Sequence, residues 1–142
     1  MAGATSEIIV HATPKEMYEA VSDFENYPEF MSDVKEVNVK KKGKKLEVEF
    51  KISVIKTFKY TLSFDLTPNK KIEWSFVDGD IFKDNKGSWI LTPEGKDKTK
   101  AIYNIEVEFG IFVPSMITNK LIGSNLPAMM KKFKDRAESL AK

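Results

Sequence analysis

The sequence contains no cysteine, and this absence removes several classes of function at once. Disulfide bonds, thiol chemistry and zinc sites built from thiolates are all excluded. Histidine, another common metal ligand and proton carrier, occurs only once, as His11. A strong excess of one charge is also missing, because the formal net charge is +2 with 31% charged residues. No electrostatic field favours nucleic acid, so DNA is not an expected partner.

Long hydrophobic runs are absent as well. No apolar stretch reaches the roughly 20 residues that a membrane-spanning helix needs. Residues Met1–Glu7 lack the basic start and the apolar centre of a signal peptide. We therefore expect a soluble, cytoplasmic protein. The 142 residues contain no repeat and no linker-like stretch, which predicts a single domain over residues 1–142.

The strongest pattern that is present lies at the end of the chain, from Pro114 to Lys142. Its apolar residues recur at spacings of three and four, which predicts one face of a long amphipathic helix. These apolar positions are Ile117, Leu121, Ile122, Leu126, Met129, Met130, Phe133, Ala137 and Leu140. Pro127 falls inside the pattern and predicts a kink or a break near Asn125. Such a helix needs a broad apolar surface to cover.

Alternating strands in the middle of the chain supply that surface. Residues 46–54, 58–66 and 101–109 alternate apolar and polar side chains with the period of two that half-buried strands show. Shorter stretches of the same kind lie between them. Their order predicts an α+β protein, in which a curved antiparallel sheet of about seven strands surrounds the C-terminal helix.

The first thirty residues predict a strand followed by two short helices. Ile8–Val10 form the predicted strand. Thr13-Pro14, with Glu16 three residues after the threonine, is typical of a capped helix start. Glu29–Met31 then predict a second short helical turn.

One face of the predicted sheet is unusually rich in aromatic side chains. A twisted sheet of this size curls, so a single helix cannot touch its whole inner face. The aromatic side chains either fill the gap as an ordinary core or leave a cavity that binds a ligand. The residues predicted to line that cavity are Phe50, Tyr60, Phe64, Trp74, Trp89, Tyr103, Ile117, Leu121, Asn125 and Met129. Residues 111–116 and the Tyr27–Met31 turn are predicted to form its mouth.

The sequence offers little for catalysis. A lone histidine beside a helix start, as His11 is, is typical of a surface or capping residue. The cluster of Asp78, Asp80 and Asp84 matches no calcium-binding loop. We therefore predict no catalytic residue, no metal site and no cofactor.

The polar groups that face inward by strand parity are few. They are Tyr60, Asn85 and Tyr103 from the strands, with Asn125 from the helix. Neutral phenols and amides are poor general bases, but they suit one or two hydrogen bonds to a mostly apolar ligand. Binding is therefore favoured over catalysis.

Three parts of the sequence resemble one known family. Ala12–Phe30, which ends in Tyr27-Pro-Glu-Phe30, resembles the opening of the polyketide cyclase/dehydrase and lipid-transport family, within the START-like (helix-grip) superfamily. Val77–Pro93 is similar to its second characteristic stretch, and Phe109 with the terminal helix completes the resemblance. Within the family the chain resembles most the branch of coenzyme Q-binding proteins and the ribosome-association toxin. Asn85 departs from that branch, which generally has leucine there.

This resemblance implies a helix-grip fold with a cavity for a hydrophobic small molecule, such as a lipid, an isoprenoid quinone or a polyketide-like compound. Two alternatives stay open. One is an aromatase/cyclase-type enzyme that acts on polyketides. The other is an interaction module whose partner is a ribosome or another protein. The lysine-rich turn at 40–45 leaves a transient contact with a membrane surface open as well.

Overall fold

The computed structural model describes residues 2–42, 45–54, 56–110, 113–120 and 125–141. Its strands are β1 (Ala2–Val10), β2 (Val34–Lys42), β3 (Lys45–Val54), β4 (Lys56–Thr67), β5 (Lys71–Gly79), β6 (Phe82–Pro93) and β7 (Thr99–Phe109). They form one seven-stranded sheet in the order β1-β7-β6-β5-β4-β3-β2, and every neighbouring pair is antiparallel. The first two strands thus lie at opposite edges, and the helices that connect them cross the sheet.

The helical segments are α1 (Pro14–Ser22), a 3₁₀ turn (Phe24–Asn26), α2 (Tyr27–Phe30), α3 (Ser115–Asn119) and α4 (Asn125–Leu140). The predicted cap of α1 is confirmed. The Glu16 backbone N–H donates to the Thr13 hydroxyl over 3.2 Å, and the Thr13 backbone N–H donates to the Glu16 carboxylate over 2.8 Å. This reciprocal pair satisfies two N–H groups that the first turn would otherwise leave without partners.

Two predicted boundaries were wrong. Strand β1 begins at Ala2 rather than Ile8, because its small and polar residues pair along β7 as far as Ala2 opposite Val107. Helix α2 begins at Tyr27 rather than Glu29. Pro28 falls in its first turn, where a helix has no use for the missing N–H.

The C-terminal helical region is described in two pieces, α3 and α4. Residues 121–124, and Leu121 with them, lie outside the described part of the chain. Helix α4 begins at Asn125, and Pro127 lies in its first turn, where proline costs no helical hydrogen bond. Residues 43–44 of the lysine-rich turn also lie outside the described part.

The core lies between the inner face of the sheet and the helices α1, α2 and α4. Both tryptophans are buried there, with Trp89 2% and Trp74 8% exposed. The Trp89 ring lies 5.6 Å from the Phe133 ring of α4. The end of α4 is also anchored to the segment after β1, because the His11 backbone N–H donates to the Glu138 carboxylate over 2.8 Å. Within the described residues, no helix combines the length and the hydrophobicity that crossing a bilayer requires.

Candidate functional site

A cavity of about 210 Å³ lies between the sheet and the start of α4. Its walls come from β2 to β7, from the segment after α2 and from α4. The lining residues are Met31, Asp33, Val34, Ile52, Tyr60, Leu62, Trp74, Phe82, Asn85, Tyr103, Ile105, Val107, Leu126, Ala128, Met129 and Lys132. The surface is mostly apolar because these strands present their inward-facing positions to it.

A second compartment of about 140 Å³ continues from the first towards α1 and α2. Seven residues line both, namely Met31, Val34, Tyr60, Leu62, Trp74, Tyr103 and Met129. The inner compartment adds Val21, Tyr27, Phe50, Phe64, Trp89 and Phe133. The shared walls make the two spaces neighbouring parts of one elongated region, and the rings of Phe24, Phe50 and Phe64 close its inner end.

The structure brings together most of the residues that the sequence predicted for the cavity. Tyr60, Trp74, Tyr103 and Met129 line both compartments, whereas Phe50, Phe64 and Trp89 line only the inner one. Ile117 is buried, at 3% exposed, but it lines neither compartment. Leu121 and the side chain of Asn125 lie outside the described part of the chain. Whether any of these residues binds a ligand stays a prediction.

Sequence reasoning missed several of the lining residues. Ile52, Leu62 and Ile105 share the inward parity of the predicted residues, so the alternation itself could have identified them. Tyr27 and Met31 belong to the turn that was predicted as the mouth, and the structure places Tyr27 in the lining of the inner compartment. Of the predicted mouth, Met31 lines both compartments, whereas Met116 is 65% exposed and lines neither. Residues 111–112 lie outside the described part of the chain, and the position of the mouth stays a prediction.

The hydrogen bond between Trp74 and Asn85 is the main polar contact inside the cavity. The Trp74 indole Nε1–H donates to Asn85 Oδ1 over 3.1 Å, and Asn85 is 4% exposed. The hydroxyl groups of Tyr60 and Tyr103 make no hydrogen bond within the described part of the chain. Since every fully enclosed polar side-chain atom there has a partner, these two hydroxyls face open cavity space.

Burial keeps these phenols neutral. It raises the pKa of Tyr60 to about 12. It also raises the pKa of Tyr103, and the nearby Tyr60 adds to that shift. Tyr27 differs, because its hydroxyl donates to the Val21 carbonyl, although burial raises its pKa as well. At neutral pH the cavity therefore offers hydroxyl groups that form hydrogen bonds and exchange protons poorly.

The three clustered aspartates serve the backbone. Asp78 accepts from the Gly79 N–H, Asp80 from the Lys59 N–H and Asp84 from the Asn85 N–H, each over 2.9 Å. Among the described residues, no group of three potential ligands is placed to hold a metal ion. Asp78 and Asp84 therefore act as local backbone acceptors on either side of the β5–β6 turn, and Asp80 ties that turn to β4.

Comparison with known proteins agrees with this architecture. The sequence profile of the polyketide cyclase/dehydrase and lipid transport family matches residues 10–134. The chain is 30% identical over 137 residues to the ribosome association toxin RatA of Vibrio cholerae, which covers 93% of this chain and 92% of that protein. The chain therefore belongs to the polyketide cyclase/dehydrase and lipid transport family.

Solved structures show the same START-like fold. A START superfamily protein from Mycobacterium smegmatis superposes with a TM-score of 0.83 at 22% identity, over 97% of this chain and 98% of that one. The ZhuI aromatase/cyclase from Streptomyces superposes with a TM-score of 0.87 at 13% identity, over 99% and 96% of the two chains. The superpositions establish the fold. At identities this low they do not establish the function, which has to be argued from the site.

Proposed function

We propose that the protein binds a hydrophobic small molecule between the sheet and α4, as a carrier or a sensor. The observation that carries this proposal is the elongated apolar cavity, whose few polar groups have hydrogen-bonding capacity left over. A small number of polar groups on apolar walls is the usual composition of a ligand site. Membership of a family whose description includes lipid transport supports the same function.

Thermal unfolding in the presence of ligands tests the proposal. The panel consists of isoprenoid quinones, fatty acids and polyketide-like aromatic compounds. A ligand at a hundred times its Kd should stabilise the folded state by about 2.7 kcal/mol, so the melting temperature should rise for at least one class. If no compound raises it, the carrier function is wrong.

A matched pair of variants localises the binding. Ile105→Phe places a larger side chain in the cavity and should weaken or abolish the shift. Ile102→Phe is the control, because the alternation along β7 places this half-buried residue on the opposite face of the sheet. Equal loss of the shift in both variants would show that the compound binds elsewhere.

Catalysis on polyketides is less well supported. The ZhuI aromatase/cyclase shares the fold at 13% identity. The raised pKa of Tyr60 and of Tyr103 leaves neither phenol suited to proton transfer near neutral pH. A polyketide-like compound that binds without turnover supports the carrier, whereas turnover supports the enzyme.

Ribosome association is the second candidate, and the similarity to RatA over 93% of this chain favours it. Such a partner would fit action in the cytoplasm. Cosedimentation of the purified protein with ribosomal subunits, at low and at high salt, tests it. Binding to ribosomes with no ligand-induced stabilisation would favour the interaction module. Sedimentation with neither subunit would remove this candidate.

A further inference from the structure

Asn85 occupies a special place in the sheet. The β5–β6 pairing runs from Lys71 opposite Ile90 to Trp74 opposite Gly87, while β6 continues to pair with β7 through Asn85 opposite Val107. Asn85 is thus the first inward-facing residue of β6 beyond the last β5 pair. Its side chain lines the cavity and also accepts a hydrogen bond from Trp74.

A close backbone approach creates this arrangement. A Cβ atom on Gly87 would lie within 3.0 Å of the Trp74 ring, so only glycine lets the indole lie against β6 at this point. The indole Nε1 then reaches Asn85, two residues away on the same face of β6. Glycine at 87 and asparagine at 85 therefore act together on one tryptophan.

The contact with Trp74 determines how the Asn85 amide is oriented. An indole N–H only donates, so it must meet the amide oxygen and not the NH₂ group. The Nδ2 group, with two N–H donors, then has no partner within the described part of the chain. Because no enclosed polar atom there is left without a partner, Nδ2 also opens onto the cavity.

The groups around Nδ2 are neutral. The hydroxyls of Tyr60 and Tyr103 line the same space and also lack partners there. The charged side chains of the lining are Asp33, which is exposed, and Lys132, whose Nζ donates to the Ser32 hydroxyl over 3.3 Å. Asp33 belongs to the segment after α2 and Lys132 belongs to α4. Both lie at the solvent side of the cavity. A carboxylate bound among the tyrosines would lose its hydration without gaining a cation.

We propose that Asn85 Nδ2, with the hydroxyls of Tyr60 and Tyr103, binds the neutral carbonyl oxygen of a compact, ring-containing ketone or quinone. This inference rests on the proposed small-molecule binding and specifies the ligand class. The two N–H groups of Nδ2 only donate and each hydroxyl can donate one hydrogen bond, so the three groups can supply the donors that the two lone pairs of a carbonyl oxygen accept. Compartments of about 210 and 140 Å³ fit two or three fused rings.

Three probes of nearly equal shape test the proposal by calorimetry. They are 2-acetylnaphthalene, which carries a ketone, 2-ethylnaphthalene, which carries none, and the carboxylate 2-naphthoate. We expect the ketone to bind about tenfold more tightly than the hydrocarbon, the value of one net hydrogen bond. We expect naphthoate to bind more weakly than the ketone.

Two variants then assign the carbonyl contact. Asn85→Leu should lower the affinity for the ketone about tenfold and leave the affinity for the hydrocarbon the same or higher. Because leucine also leaves the Trp74 N–H without its acceptor, Tyr103→Phe provides a second variant that keeps the Trp74–Asn85 pair and should lower only ketone affinity. Asn38→Leu, at an exposed position of β2, is the matched control and should change neither.

The infrared C=O stretch of carbonyl-labelled 2-acetylnaphthalene gives an independent readout. It should move to lower frequency when the ketone binds the wild-type protein and move back in Asn85→Leu. If ketone and hydrocarbon bind equally, or if naphthoate binds most tightly, this inference is overturned while the apolar cavity remains a binding site. If none of the three probes binds although a fatty acid or another compound of the panel raises the melting temperature, this inference fails and the proposed function stands; if no compound of either set binds, both fail.

Discussion

Single residues set the shape of the cavity wall, and Gly87 is the clearest example. Its backbone lies so close to Trp74 and to the Asn104 carbonyl that any side chain would collide with both. A glycine inside a strand normally weakens it, so its presence here indicates a close approach. The benefit is a buried indole that forms a hydrogen bond at the edge of the cavity.

Gly87→Ala should therefore displace Trp74. We expect a loss of about 1–3 kcal/mol in the free energy of unfolding, as for other overpacked positions, and a red shift of the tryptophan fluorescence. Urea unfolding measures the first effect. Gly110→Ala is the control, because its nearest neighbours would lie at ordinary contact distance, 3.8 Å. Equal stability of the two variants would contradict the close packing at Gly87.

The tyrosines around the cavity divide into a structural one and two whose hydroxyls face the cavity. Tyr27 donates to the Val21 carbonyl, which ties α2 to the end of α1. Tyr60 and Tyr103 leave their hydroxyls to the cavity. The same residue type thus serves packing in one place and supplies unused hydrogen-bonding groups in the other.

Removing these hydroxyls should have unequal effects. Tyr27→Phe deletes a protein hydrogen bond and should lower the free energy of unfolding by about 1 kcal/mol. Tyr60→Phe deletes none within the described chain and should leave stability within about 0.5 kcal/mol of wild type. Chemical denaturation of both variants measures the difference. A larger loss of unfolding free energy in Tyr60→Phe than in Tyr27→Phe would mean that the Tyr60 hydroxyl, and not the Tyr27 hydroxyl, has the structural role.

At the scale of elements, Phe133 is one of the residues that pack α4 into the core. Phe133 is 2% exposed and its ring contacts Tyr27, Phe30 and Trp89 at centroid distances of 5.2, 5.5 and 5.6 Å. The guanidinium of Arg136, one turn later, lies 5.1 Å from the Phe30 ring. Helix α4 therefore packs against both the short helices and β6, and it also forms one wall of the cavity.

Phe133→Ala should loosen this helix. The buried ring and the cavity that it leaves predict a loss of about 3–5 kcal/mol. Lys131→Ala, on the exposed side of the same helix, should cost less than about 0.5 kcal/mol, because its pair with Asp135 is a surface ion pair. Thermal unfolding compares the two. Similar melting temperatures would mean that α4 contributes little to the core.

At the scale of the whole molecule, one curved sheet and one long helix enclose a space that they do not fill. Strands β1 and β2 lie at opposite edges, so the short helices must span the sheet between them. They close the end of the cavity near Phe24 and Phe64, whose rings lie 4.4 Å apart. That the chain forms a single domain stays a prediction.

Stability should fall in alkaline solution. The pKa of Tyr60 is about 12 in the folded protein, above the ordinary 10 that it regains on unfolding. The contribution of the neutral Tyr60 phenol to the free energy of unfolding is therefore complete below pH 10. It is lost as the pH rises from 10 towards 12, by up to about 1.4 kcal/mol per pH unit for this group. Urea unfolding between pH 8 and pH 11.5 measures the decline. Tyr60→Phe should show a shallower decline, and an unchanged slope would contradict the burial of the phenol.

Much of the fold followed from local sequence alone. The alternation in Leu46–Val54 and Phe58–Leu66 predicted inward-facing strands, because a pleated strand sends successive side chains to opposite faces. The threonine and glutamate at the start of α1 predicted a cap that the structure confirms. Several cavity residues, among them Tyr60 and Tyr103, were predictable by the same parity.

The tertiary structure alone decided what the cavity contains. The alternation along β6 placed Asn85 inside, but the orientation of its amide depends on Trp74, which reaches it from the neighbouring strand β5 over the backbone of Gly87. Tyr27 and Met31 were predicted at the mouth of the cavity, and only the packing of the short helices against β3 places Tyr27 in the inner compartment. Periodicity determines which face a side chain takes, whereas the contact it makes there depends on residues distant in the chain.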